Sequence, residues 1–149
     1  MSSLETARHA LPLLAVSQAQ KEITHNEALV RIDALLHTVV IDELAMPPSL
    51  SDADIGKCWL VAPSAGGDWL GRGRHVALWV GGSWRFLQPI EGMRVRQLSL
   101  GVDRIWSADS WRSVPTVSDP ANGALADVEA RQSIVALLQY LRSIGLIAS

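Results

Sequence analysis

"WVGGSWR" at residues 79–85 and "WSADSWR" at residues 106–112 decide how this chain reads. Each unit sets two tryptophans five apart around a small turn and closes on an arginine, and the second begins 27 residues after the first. A two-residue loop at Gly81-Gly82 makes Trp79 and Trp84 direct cross-strand partners on one face of a ribbon. Side chains alternate along a strand, so the arginines that follow, Arg85 and Arg112, fall on the opposite face. Each unit therefore reads as a hairpin clamp, and the middle of the chain reads as antiparallel sheet.

Working outward, short apolar runs bounded by Gly, Pro and Asp continue the pattern from Gly56 to Pro115. They predict strands at 58–62, 75–80, 83–88, 93–98, 103–107 and 110–115. Every gap is too short for a crossover helix, so the strands connect as a meander. In "MRVRQL" at 93–98, Met93 and Val95 point one way while Arg94 and Arg96 point the other, which makes one face buried and the other basic. Burying a tryptophan removes about 150–250 Å² of surface, so three or four of the six would dominate so small a sheet. Most are therefore expected in the core. Trp69, in the glycine-rich "GGDWLGRGR", is the expected exposed exception.

Helical periodicity flanks the sheet on both sides. From Ser17 to Val39, Ser17 caps with Gln20 three residues on, and Ala28, Ile32, Leu35 and Val39 recur at helical steps until "MPPSLSD" breaks the pattern. After the linker "TVSDPANGA", a second helix runs from Leu125 to Ile144, with Ile134, Leu137, Leu141 and Ile144 in heptad spacing, Val135 and Leu138 widening the stripe, and Gly145 placed to end it. A lone helix of this length is marginal in water, so its stripe requires a partner. The reading is an α+β chain in three parts: an N-terminal helical attachment segment over 1–50, a small antiparallel Trp-rich β-meander over 56–117, and a C-terminal oligomerisation helix within 124–149.

Composition narrows the function classes. At 149 residues the chain is one domain by length and needs no disulfide or metal for stability. Its net charge of −2 conceals a division: residues 1–55 hold three basic against eight acidic side chains, residues 56–117 hold eight against four, and the remainder holds two against three. The lone thiol, Cys58, lies between strand residues and reads as inert. No apolar run is long enough to span a membrane, and "LPLLAV" is too short and lacks the basic flank of a signal peptide. Synthesis in the cytoplasm without classical export or membrane insertion is expected.

Enzyme signatures are weak. "EITH" places Glu22 and His25 one helical turn apart, but a carboxylate-bridged metal pair needs a second such motif and further glutamates, which are not evident. "GRGRH" at 71–75 lacks the third glycine and following helix of a phosphate loop and reads as a bend. His75 and Ser83 have no carboxylate-backed triad in sequence. No catalytic residue, cofactor or metal is assigned. Binding is the stronger expectation: Trp69 with Arg72, Arg74, Arg94 and Arg96 could stack on sugar faces and pair with carboxylates of an anionic polysaccharide. The same chemistry suits single-stranded nucleic acid, which is not the expected partner.

The segments "ARHALPLLAVSQAQKEITHNEALVRIDALLH" at 7–37 and "GKCWLVAPSAGGDWLGRGRHVALWVGGSWRFLQPIEGMRVR" at 56–96 resemble an uncharacterised domain family of tailed phages and gene transfer agents of alphaproteobacteria. "DVEARQSIVALLQYLRSIGLI" at 127–147 resembles the terminal helices of phage fibre proteins, which commonly form trimers. The resemblance implies a non-enzymatic structural virion component of the tail fibre, spike or baseplate, made in the bacterial host. The implied partners are other tail or baseplate proteins, and the alternative is a module that adsorbs directly to host polysaccharide. Together with the heptad stripe it implies a homotrimer, assembled through Ala28, Ile32 and Leu35 of the first helix and Ile134, Leu137, Leu141 and Ile144 of the second.

Overall fold

The computed structural model describes residues 4–15, 21–120, 127–143 and 146–147. Helix α1 spans Lys21–Leu35. Glu22 in its first turn complements the helix dipole, and an Arg31–Glu27 pair at 2.8 Å joins successive turns. It ends where His37 takes φ +49°. Ser17 to Gln20, which the sequence pattern includes in this helix, lie outside the described residues, and Val39 belongs to a strand.

The eight strands are β1 (Val39–Val40), β2 (Glu43–Leu44), β3 (Cys58–Val61), β4 (Val76–Trp79), β5 (Trp84–Leu87), β6 (Arg94–Gln97), β7 (Val102–Ser107) and β8 (Ser110–Ser113). The α+β class stands, but the strands divide between two sheets, ordered β1-β6-β7-β8 and β2-β3-β4-β5, instead of forming one continuous meander. Antiparallel succession holds within β3-β4-β5 and within β6-β7-β8. It breaks between β5 and β6, where "QPIEGM" contains Pro89, which lacks an N–H, and Gly92 at φ +82°.

The two sheets meet through one bent segment. β1 pairs parallel with β6, Val39 opposite Arg96, while β2 pairs parallel with β3, Glu43 opposite Leu60. Across the bend, Ile41 N–H donates to the Cys58 carbonyl at 2.8 Å and Asp42 accepts from Leu60 N–H at 2.9 Å. Residues 39–44 are thus integral to both sheets, so the expected boundary after residue 50 does not separate a helical module from a β module.

Both hairpins adopt the expected register. Trp79 opposes Trp84 and Trp106 opposes Trp111. Gly81 and Gly82 take φ +77° and +89°, the twist a two-residue hairpin loop requires, and Ala108 and Asp109 follow at +49° and +56° without glycine's freedom. Between the sheets lies a core of Val40, Cys58, Leu60, Val76, Leu78, Leu87, Val95, Trp106 and Trp111, with Ala34 of α1 against it. The far face of the β2–β5 sheet carries a second cluster, Trp59, Val61, Trp69 and Ala77, flanked by Trp79, Trp84 and Phe86. This sheet is covered on both faces, which is why all of β3 is buried.

Polar groups tie the layers together. Arg104 points inward, a position compatible with charge because it donates to Gln97 Oε1 at 2.8 Å, Glu43 Oε2 at 3.2 Å and the Trp111 carbonyl at 2.7 Å. Gln97 in turn donates to Asp42 and Ser99. The N-terminal residues form a small hairpin bridged at Glu5 and Pro12. From it Arg8 donates to the carbonyls of Asp33, Ala34 and His37 at the end of α1, while the Asp33 carboxylate accepts the backbone N–H groups of Arg8 and His9. Helix α2, Val128–Ser143, is capped by Asp127, whose carboxylate accepts from Ala130 N–H, and is held to the preceding linker by Arg142, which pairs with Asp119 at 2.8 Å and donates to the Val117 carbonyl.

Candidate binding surface

Strand alternation builds the solvent face of the β1-β6-β7-β8 sheet. Val95, Gln97, Val102 and Trp106 point inward, which turns Arg94, Arg96, Asp103 and Ile105 outward. Register then sets two rows. Arg94 stands beside Ile105 and Ile105 beside Arg112, and Arg96 stands beside Asp103. Arg96 Nη1 lies 3.2 Å from Asp103 Oδ1. Arg94 and Arg112 are exposed, and the Arg94 side chain makes no hydrogen bond or ion pair with the described residues. The face is basic, as the alternation in "MRVRQ" predicts, with one carboxylate set into it.

Trp69 corrects the sequence reading. It is fully buried, with its ring edge against Trp84 at 5.0 Å, because the glycine-rich loop folds back over the β2–β5 sheet and places the indole in the second cluster. None of the six tryptophans is exposed: Trp59, Trp69, Trp106 and Trp111 are buried and Trp79 and Trp84 half-buried, so none presents an open indole face beside the arginines. Arg72 and Arg74 also sit apart from Arg94 and Arg96. The Arg72 guanidinium lies over the Phe86 ring at 5.2 Å, and Arg74, at φ +70°, offers its carbonyl to Trp111 Nε1 at 2.8 Å and lines a 320 Å³ cavity with His75 and Asp109. The expected five-residue glycan site is therefore not assembled in one place. Asp103, which the sequence reading did not single out, and Arg112, which it set opposite the clamp tryptophans but outside the site, complete the face, and cross-strand register is the signal that joins them to it.

The helix stripes also fall into place. The side of α1 packed inward carries Asp33, Ala34 and half-buried Val30, whereas Ile32 and Leu35 are about half exposed and Ala28 is exposed. On α2, Leu138 is buried, Leu141 is intermediate, and Ile134 and Leu137 are exposed; Ile144 lies outside the described residues.

Several other chemistry-bearing groups are buried or hydrogen-bonded. Cys58 is buried, and burial pushes its thiol up to about 12, with nearby Arg8 opposing and Asp33 reinforcing the effect. Asp33 lines a 400 Å³ cavity otherwise walled largely by apolar residues, including Leu13, Val30, Leu78 and Trp79, but its carboxylate is saturated by Arg8 and His9. Burial raises the Asp33 pKa, yet the hydrogen bonds from Arg8, Thr6 and His9 outweigh it and hold the group below its ordinary 3.8. His75 Nδ1 lies 3.1 Å from the Gly73 carbonyl, and Ser83 Oγ accepts from Arg85. Among the described residues no group of three or more His, Cys, Asp or Glu side chains is placed to hold a metal, and no helix is long and apolar enough to cross a membrane.

No curated protein matches the sequence. The model of a family described as protein of unknown function, DUF2793, matches residues 25–112, from α1 through both hairpins and the basic sheet face into β8. With more than half its length matched, the chain belongs to the DUF2793 family.

Proposed function

We propose that this protein is a non-enzymatic structural component of a phage or gene-transfer-agent virion, part of a tail fibre or its baseplate attachment, and that it assembles as a homotrimer through its helices. The observation that carries the assembly is uncovered apolar surface. Ile23, Ile32 and Leu35 on α1, Leu36 in the turn after it, and Val128, Ile134, Leu137 and Tyr140 on α2 are each more than two-fifths exposed while the sheets have well-buried interiors. Patches of this kind on a folded chain mark association surfaces, and mixed isoleucine and leucine at heptad spacing accommodates association beyond a dimer. The virion role is supported by the resemblance of the helical and Trp-rich segments to phage and gene-transfer-agent domains. Light scattering at micromolar concentration tests the assembly: a mass of three chains is expected, and Leu137→Asp should reduce it to one chain with unchanged circular dichroism. A wild-type mass of one chain overturns the assembly. Mass spectrometry of purified particles tests the role, which fails if the protein is made but never recovered with particles.

A second reading, adsorption to anionic surface polysaccharide, is favoured by the outward arginines Arg94, Arg96 and Arg112 on one sheet face. With no tryptophan exposed, this reading rests on charge and hydrogen bonding. Substituting Arg94 and Arg96 together should abolish retention on host polysaccharide, and undiminished retention removes this face from it.

A further inference from the structure

The residues that follow α1 come to the edge of the basic sheet face and border an open pocket that the sequence does not suggest. This open cavity of about 260 Å³ is lined by His37, Thr38, Arg94, Arg96 and Asp103, together with the neighbouring valines of β1 and β6. We propose that this pocket binds the carboxylate of one acidic sugar unit, a uronate, within a surface polysaccharide. The proposal rests on the adsorption reading and names its site.

The chemistry follows from the state of each group. Arg94 is exposed and its guanidinium has no partner among the described residues, so it retains its full donor capacity for a planar carboxylate. Arg96 is held 3.2 Å from Asp103, both about one-third exposed, which orients it while using one of its donors. Asp103 is then an internal carboxylate occupying part of the position an external one would take. The His37 carbonyl accepts from Arg8, which anchors the residue at the rim and leaves its ring outside that bond.

Several observations favour a saccharide over nucleic acid. Single-stranded nucleic acid is gripped by exposed aromatic rings along an extended basic groove. Here all six tryptophans are buried or half-buried, Phe86 lies beneath Arg72, and one of the two arginines in the pocket already faces a carboxylate. The volume is also below that of most sites for drug-sized ligands, and suits a single ring better than a run of nucleotides.

The test is a titration of the full-length, isotopically labelled protein with trigalacturonate, uncharged maltotriose and a single-stranded thymidine oligomer at low salt, followed by amide NMR. Trigalacturonate should shift Thr38, Arg94, Arg96 and Asp103, and maltotriose should not. Arg94→Gln and Arg96→Gln should each weaken binding about tenfold, the usual worth of a charge-assisted hydrogen bond. Asp103→Asn should tighten binding about threefold by removing the internal competitor, an effect that a merely structural Arg96–Asp103 pair would not produce. The wild-type shift map stands even if a variant fails to fold. Trigalacturonate binding that shifts other residues and survives both arginine substitutions overturns this site while leaving adsorption standing. Absence of binding overturns both, and tighter binding of the thymidine oligomer overturns the saccharide assignment.

Discussion

Trp69→Phe should cost about 2 kcal/mol less than Trp111→Phe, although Trp69 is the more deeply buried of the two. Both substitutions delete the same part of an indole from sites less than a tenth exposed, so the losses from transfer and cavity formation are similar. Each ring also packs edge-on against another tryptophan, Trp69 against Trp84 at 5.0 Å and Trp111 against Trp106 at 5.3 Å, and phenylalanine preserves much of either contact. The difference lies in the indole N–H. Trp111 Nε1 donates to the Arg74 carbonyl at 2.8 Å, and losing that bond costs about 1 kcal/mol. Trp69 Nε1 is buried with no acceptor among the described residues, so removing it relieves a desolvation penalty of about 1 kcal/mol or more. Urea unfolding followed by circular dichroism would measure the difference, read from midpoints at constant slope. It corresponds to melting temperatures separated by about 4–8 °C in a chain of this size. If Trp69→Phe proves as costly as Trp111→Phe, the account of the two indole donors is wrong.

Arg104→Leu should destabilise the fold by about 3 kcal/mol, because it strands Glu43, Gln97 and the Trp111 carbonyl around a side chain that is only 11% exposed; urea midpoints would check this, and a loss below about 1 kcal/mol would show that the network contributes little. Asp33 is held below 3.8 in the folded chain, so its contribution is present above the unfolded value and is lost as pH falls through the lower folded one; Asp33→Asn should destabilise at neutral pH and flatten the decline in stability below about pH 4, measured by thermal melts across that window. Replacing Ala108-Asp109 with Asn-Gly should stabilise the second hairpin by about 0.5–1 kcal/mol, since both positions take positive φ, and an unchanged or lowered melting temperature would refute the strain reading.

Local chemistry alone determined both hairpins. The Trp79–Trp84 and Trp106–Trp111 pairings depend on short loops and on alternation over a few residues, and both are written contiguously in the chain. The same holds for the opposed faces of Met93-Arg94-Val95-Arg96 and for the presence of a helix near each end. Tertiary structure decided what depends on distant partners. Residues 39–44 are too short and too uniformly apolar at their start to announce a strand, and they become one by pairing with β6 on one side and β3 on the other. Arg104 is held inside the fold by Glu43, which lies 61 residues away in sequence. Trp69 reads as exposed because glycines surround it, yet those glycines allow the loop to fold back and bury it. The candidate pocket likewise joins His37, at the end of a helix, to arginines nearly sixty residues later. Periodicity reports the environment of a residue only through its neighbours in the chain, whereas a layered fold brings together groups whose separation in sequence leaves no local trace.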